Sequence, residues 1–376
     1  MRIVHVAPFY YPVIGGVEEV VKRVAEYMAS KGNEVYVLTY NRLRVDGKGS
    51  LPREETIKDV HVVRLKPNIT WSHGTYSTEL PEVLKKLKPD VVHVHVWRHP
   101  HVFQVAKLKE RMSFKAILHS HAPFHRFSQL AMVTWLYHKT VDWFMKGTLK
   151  KYDVIIALTP YEKTILVQKL GAQEEKVVIT PNGIDDRLVN SAQNMIRTEP
   201  VVLYLGRISR SKNVDLLVKA MRYVKKEVAS ARLVMAGPDE GLALKLRRYA
   251  QRYDVNFQYL GIVSSESEKG KLYSECSVFA HPALYEPFGI TLLEAQAFGK
   301  PCVITGEGGQ LYAAPPGRTS LHARSNPRDF GEAISLLLKD RRLYEKLSAN
   351  AREWAFRHSW SKILPRYDEV YNKLCA

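Results

Sequence analysis

The chain has 376 residues, 45% of them hydrophobic, with 56 Lys+Arg against 38 Asp+Glu and a formal charge of +18. This length exceeds what one hydrophobic core usually serves and predicts two domains, and the composition excludes a disordered or fibrous chain. The charge selects an anionic partner (nucleic acid, phosphorylated metabolite or acidic membrane surface), while three scattered cysteines, Cys276, Cys302 and Cys375, exclude a disulfide framework and a CxxC metal site.

The first predicted strand, "RIVHV", runs into the loop "APFYYPVIGGVEE". Gly15 and Gly16 directly precede a helix there, so the segment reads either as a place where a ligand approaches the helix N-terminus or as a plain tight turn. It is not GxGxxG, which leaves dinucleotide binding unsupported. The helix follows from Val17, Val20, Val21, Val24 and Met28 at helical spacing, with Gly32 as its stop. Neither a signal peptide nor a spanning segment is expected: the N-terminal apolar run is very short, and no stretch approaches the roughly 20 residues a membrane helix needs.

"EVYVLT", "DVVHVHV", "KAILHSH", "DVIIALT" and "KVVITP" continue the strand series, alternating with helical patterns as in βαβ units. Within "HVHVWRHPH", His93, His95, His99 and His101 cluster, with His93 and His95 on one side of a strand. No third ligand at a known metal spacing follows, so the expectation is no metal and a polar lining for an acceptor cleft. Residues 126–151 form an aromatic helical stretch. Met132, Trp135, Lys139, Trp143, Lys146 and Lys150 fall on one stripe, and Phe127, Leu130, Tyr137, Val141 and Phe144 on another. Trp interleaved with Lys on one face suits an anionic lipid interface; an internal helix with snorkelling lysines is the alternative.

A polar stretch, "DDRLVNSAQNMIRTEP", separates residues 1–186 from a second series and makes residues 187–200 the expected linker. "VVLYLG", "ARLVMAG", "NFQYLG", "SVFAHP" and "KPCVIT" are the strands of that series. The whole therefore reads as α/β, with two doubly wound Rossmann-like domains facing a central cleft. Arg207 and Lys212 lie in the loop after "VVLYLG", where they would either grip a diphosphate or form a solvated basic loop. Pro287 and Gly289 break the chain before the helix "ITLLEAQAF", which Gly299 ends, so Glu286 stands at the helix mouth and Glu294 about one turn inside. An acid inside an apolar run must accept hydrogen bonds, whether from protein donors or from ligand hydroxyls such as a ribose diol.

The pair Glu286 and Glu294 within "EPFGITLLEA", together with "GRISRSKNVD", "PNGID" and "PVIGGVE", resembles the retaining glycosyltransferases of family four, whose fold is GT-B. The resemblance extends to "HSWSKILPRYDEVY", similar to that family's closing helix. It implies a second domain over 201–357 and a returning helix over 358–376. It also implies that Arg207 and Lys212 bind the donor diphosphate, Glu294 the ribose hydroxyls and Glu286 the transferred sugar. The backbone of Phe288, Gly289 and Ile290 would touch sugar and phosphate, and Gly261, Ile262 and Val263 the nucleobase. Gly15 and Gly16 would line the cleft. The family's cleft histidine falls on His121 or, two residues earlier, on His119. One departure from the family pattern is "GEGGQLYAAPPG", which lacks a glutamate just after Gly309.

The implied activity is transfer of a hexosyl unit from a UDP-, GDP- or ADP-linked sugar to a hydroxyl acceptor, a glycan or lipid-linked glycan. It would proceed with retention, without a cofactor or metal, in the cytoplasm or peripherally on an anionic membrane. A nucleotide-sugar epimerase of similar architecture is the alternative enzyme. Nucleic-acid binding is disfavoured, because the basic residues are dispersed and no RRM, zinc-finger or KH-like signature appears.

Overall fold

The computed structural model describes residues 1–13, 15–42, 51–71, 74–129, 131–191, 200–263 and 265–375. They form two compact units: residues 1–124 with 131–182 and 361–376, and residues 125–130 with 183–360. Each is an α/β unit built on a largely parallel, doubly wound sheet.

In the first unit the strands are β1 (Arg2–Val6), β2 (Glu34–Tyr40), β3 (Glu54–Ile57), β4 (Val60–Leu65), β5 (Ile69–Trp71), β6 (Gly74–Tyr76), β7 (Val91–His95), β8 (Lys115–His119), β9 (Val154–Ala157) and β10 (Val177–Ile179). The main sheet runs β10-β9-β8-β7-β1-β2-β4-β3, parallel except for the β3–β4 pair. Its helices are α1 (Gly16–Ser30), α2 (Glu79–Leu87), α3 (Pro100–Lys109), α4 (Met132–Met145) and α5 (Pro160–Gln168). All of β7 is buried, as expected where helices cover both faces of a parallel sheet. Helix α1 buries Val20, Val21, Val24 and Met28, the stripe its spacing predicts. Strand order reverses between β1 and β7, the position at which open α/β sheets usually offer a crevice.

The second unit begins with α6 (Asp186–Ser191), which takes up the first residues of the expected linker; residues 192–199 lie outside the described residues. Then come β11 (Val201–Leu205), α7 (Val214–Glu227), β12 (Arg232–Ala236), α8 (Ala243–Arg252), β13 (Asn256–Tyr259), α9 (Glu266–Glu275), β14 (Val278–His281), β15 (Tyr285–Glu286), α10 (Ile290–Ala297), β16 (Cys302–Ile304), β17 (Glu307–Gly308), α11 (Gln310–Ala313), β18 (Ser320–His322), α12 (Pro327–Lys339) and α13 (Arg341–Phe356). The sheet order is β13-β12-β11-β14-β16-β18, with the reversal between β11 and β14. Helices α7 and α12 meet through Gly331, where an added Cβ would stand 2.7 Å from the Ala220 carbonyl oxygen. Any larger residue there would push the helices apart.

The last helix, α14 (Trp360–Cys375), starts in the second unit and continues as part of the first. The "PNGID" turn explains its anchoring. The Ile184 amide donates to the His358 carbonyl (2.9 Å), and the Trp360 amide donates back to the Ile184 carbonyl (3.0 Å). Gly183 leaves room for the Trp360 ring, which would lie 2.6 Å from a Cβ at that position.

Candidate functional site

The polar residues of the second unit gather where β11 and β14 end. After β11 the chain turns through Gly206 to Arg207, then through a single 3-10 turn, Arg210–Lys212, into α7. Asn213, left-handed at φ 52°, donates from its amide to the Pro282 carbonyl and to Ser325 Oγ, each at 3.2 Å. This ties the Lys212 turn to the segment that follows β14. Lys212 and Glu286 form a direct ion pair, with only 15% of each side chain exposed. His281, the last residue of β14, places Nε2 3.2 Å from the same carboxylate oxygen. Burial alone would raise the Glu286 pKa, but the Lys212 charge and the His281 contact outweigh it and hold the carboxyl well below its ordinary range.

Arg207 does not join that pair. Its Nη1 lies 2.8 Å from Glu240 Oε1 in a solvent-exposed contact, worth about 0–1 kcal/mol and readily exchanged for a ligand. Glu294 is likewise separate. Only 8% exposed, it accepts a 2.7 Å hydrogen bond from the Tyr273 hydroxyl and lies 3.6 Å from Lys269 Nζ, both residues on α9. The acid inside the apolar run is thus accommodated by protein donors, as its burial demands.

Between the two acids, Phe288 is buried and Gly289, left-handed at φ 97°, starts α10 with no side-chain cap on the helix. The first-turn N–H groups of such a helix favour an anion. A glycine-rich segment crosses this stretch at very close range. Glu286 pairs with Gly308 in the β15–β17 ladder, and a Cβ on Gly309 would collide with the Pro287 carbonyl. Gln310 stands directly after Gly309, where the sequence departs from the family pattern. It is fully buried, and its amide donates to the carbonyls of Ala283 (2.9 Å) and Glu307 (3.1 Å), a bracing role. Residues 125–130 pack on the same loop: Arg126 pairs with Glu307 at 2.8 Å, and the Gln129 amide donates to the Leu284 carbonyl at 3.3 Å.

Gly261 takes a left-handed conformation, and its carbonyl accepts from the Gly237 amide at 2.7 Å. Ile262 is 72% exposed and, with Val263, lines a pocket of about 410 Å³ between α9 and strands β11 to β13. None of Arg207, Lys212, Glu286 or Glu294 lines that pocket. The Lys212–Glu286 pair thus lies outside this hollow.

In the first unit Gly15 is extended and Gly16 begins α1. His121 follows β8 in a left-handed conformation (φ 46°), unusual outside glycine and a frequent mark of functional positions. Its Nε2 lies 3.2 Å from His95 Nδ1, and burial lowers its pKa to about 3. His119 is fully buried with both ring nitrogens unpartnered, whereas His121 keeps 7% exposure. Next to it, Glu162 accepts from the backbone amides of Leu158 (2.6 Å) and Ala122 (3.3 Å), and burial raises its pKa to about 7. Helix α4 is anchored by Asp142, which receives a two-pronged bond from Arg98 (2.7 and 2.9 Å) and the Trp97 indole (2.9 Å). It otherwise exposes Met132, Val133, Leu136, Trp143 and Phe144, so it is not an internal helix.

Two family models match consecutive parts of the chain, Glycosyltransferase Family 4 over residues 14–188 and Glycosyl transferases group 1 over residues 186–354. The chain belongs to the family 4, group 1 glycosyltransferases. This glycosyltransferase is 26% identical over 408 aligned positions to an uncharacterized glycosyltransferase of Methanocaldococcus jannaschii, covering 99% of this chain and 98% of that one. It is 27% identical to the GDP-mannose-dependent alpha-(1-6)-phosphatidylinositol dimannoside mannosyltransferase of Mycobacterium tuberculosis, over 81% of this chain and 79% of the relative. Its fold matches that of the Anabaena protein HepE in complex with UDP, with a TM-score of 0.79 at 17% identity and full coverage of both chains. The glycosyltransferase thus has the GT-B fold, with two Rossmann-like units.

Two features of the glycosyltransferase escaped sequence reasoning. His281 sits in an apolar strand like any core residue, and only its position before Pro282 at a strand end hinted at a role. The histidines of β7 lacked a further ligand in sequence; the structure brings His5 beside them from β1.

Proposed function

We propose that this glycosyltransferase moves a hexosyl unit from a nucleoside diphosphate sugar to a hydroxyl acceptor with retention of anomeric configuration. The observation that carries this reading is the Lys212–Glu286–His281 cluster at the strand ends of the second unit. An ammonium offers three donors, so Lys212 can hold a phosphate oxygen while remaining paired with Glu286. Arg207, free to leave its exposed partner, supplies a second cation, and the uncapped start of α10 at Gly289 and Ile290 a set of backbone donors. These groups face the charge that grows on the diphosphate as the anomeric bond breaks, with no metal assigned to the leaving group.

Glu286, oriented by Lys212 and His281, contacts the transferred sugar. Glu294 receives the ribose hydroxyls alongside Tyr273, with Phe288 beside the sugar and Gly261, Ile262 and Val263 beside the base. The acceptor hydroxyl attacks from the face the diphosphate leaves, passing its proton to a departing phosphate oxygen. Gly15, Gly16 and His121 serve the acceptor side. The relative named for GDP-mannose and the neighbour solved with UDP support the donor class.

Among the described residues no helix is long and apolar enough to cross a membrane. The exposed apolar residues of α4, with Lys139, Lys146 and Lys150 also exposed, suit docking on an anionic lipid surface and a lipid-linked acceptor.

The deciding experiment is a thermal-shift screen with UDP, GDP and ADP sugars, followed by nuclear magnetic resonance of the product's anomeric configuration. A shift with one base that Lys212→Met abolishes is expected. No shift with any donor would remove the reading, and an inverted product would remove the retaining mechanism.

A further inference from the structure

None of the roles proposed above uses the imidazoles buried under α14 in the first unit. His5 of β1 stands opposite His93 of β7 in the parallel register, and His95, two residues on, shares its face. All three are fully buried beside the reversal of strand order, and one nitrogen from each lies within 4.8 Å of the other two. The outer nitrogens have partners. His93 Nδ1 is 2.6 Å and His5 Nε2 3.4 Å from the Tyr371 hydroxyl, and His95 Nδ1 is 3.2 Å from His121 Nε2. His5 Nδ1 and His95 Nε2 face each other at 3.0 Å, and His93 Nε2 has no hydrogen-bond partner.

We propose that His5 Nδ1, His93 Nε2 and His95 Nε2 hold one divalent transition-metal ion of the zinc, cobalt or nickel type, enclosed as the first unit folds. Two arguments support it. Two nitrogens sharing a tetrahedral zinc stand about 3.3 Å apart, close to the His5–His95 separation. Metal ligation leaves each ring with one N–H, and each has an acceptor: Tyr371 oxygen for His93 and His5, His121 Nε2 for His95. Such outer contacts are what orient imidazole ligands. An all-imidazole set selects borderline metals over magnesium or calcium, which prefer oxygen. The arrangement also fixes the His95 proton on Nδ1 and makes His121 Nε2 an acceptor.

Because none of the three rings is exposed, the ion should not exchange in the folded protein. The test uses the whole chain without a polyhistidine tag, expressed with added cobalt or zinc, dialysed against EDTA and analysed by plasma mass spectrometry. One equivalent is expected to remain. His93→Gln should lose it, and the surface variant His61→Gln should keep it. Tyr371→Phe should bind about 10- to 100-fold more weakly after refolding with metal. X-ray absorption on the wild-type cobalt protein should count three imidazoles, and it decides the matter if His93→Gln does not fold. Folded wild type emerging metal-free, fewer than three imidazole ligands, or full retention in folded His93→Gln each overturns the proposal.

Discussion

Replacing Lys212 by Met removes the charge that holds Glu286 ionised inside the second unit. Breaking a buried pair from one side costs about 3–5 kcal/mol, and with 15% of each side chain exposed the lower end, about 3 kcal/mol, applies. For a unit of this size that corresponds to roughly 6–12 °C in Tm. The pH dependence gives the loss a signature. In the wild type the Glu286 pKa is depressed, so its contribution is complete above the unfolded carboxyl value and is lost only as pH falls through the lower folded value. Without Lys212, burial, the largest influence on the group, is opposed by the His281 contact alone; the prediction is that burial then prevails and the folded pKa rises, so that the variant loses stability as pH climbs from the unfolded value through the new folded one. The deficit should therefore widen between pH 4 and pH 7. Differential scanning fluorimetry of wild type, Lys212→Met, Glu286→Gln and the double variant measures this, and the double variant should recover about 1–3 kcal/mol relative to the sum of the singles. Strict additivity, or a deficit equal at both pH values, would refute the coupling.

Three further outcomes follow from other contacts. Glu162, with its pKa raised to about 7, makes the wild type lose on the order of 3 kcal/mol of stability as pH rises from about 4.5 through 7, and urea denaturation of Glu162→Gln should show that slope flattened. Tyr273→Phe takes from Glu294 its hydroxyl donor and should cost about 1.5–3 kcal/mol in chemical denaturation. Arg207→Gln, at an exposed pair, should leave Tm unchanged yet weaken nucleoside diphosphate binding by about 10- to 100-fold in calorimetry; an equal loss in both would assign Arg207 to stability instead.

Much of the architecture was legible because parallel strands covered on both faces advertise themselves as apolar runs. All eleven predicted strands appear, and α10 spans most of the predicted "ITLLEAQAF" helix, from Ile290 to Ala297. Strands β3, β4, β5, β6, β15, β17 and β18 were not read: most, such as "EETI", "ITW" and "GTY", are too brief or polar to carry a period, whereas β4, "VHVVRL", is an apolar run that was missed. At the candidate site, residue types were legible and partnerships were not. Lys212 and Glu286 lie 74 positions apart, and nothing local says that Asn213 draws their loops together. For Glu294 the sequence left protein donors and ligand hydroxyls equally open, because the Tyr273 and Lys269 that meet it project from a different helix. The five-residue strands hid the strand register in the same way: His5 and His93 are neighbours only once β1 and β7 pair.

The hydrogen bonds that join Ile184 to His358 and Trp360 place the two ends of residues 183–360 side by side. That segment is therefore topologically an insert whose entry and exit share one doorway. A gene fragment cut at this doorway would begin and end at the same spot, and its termini could be joined by a few residues to reopen the chain elsewhere, as circular permutation requires.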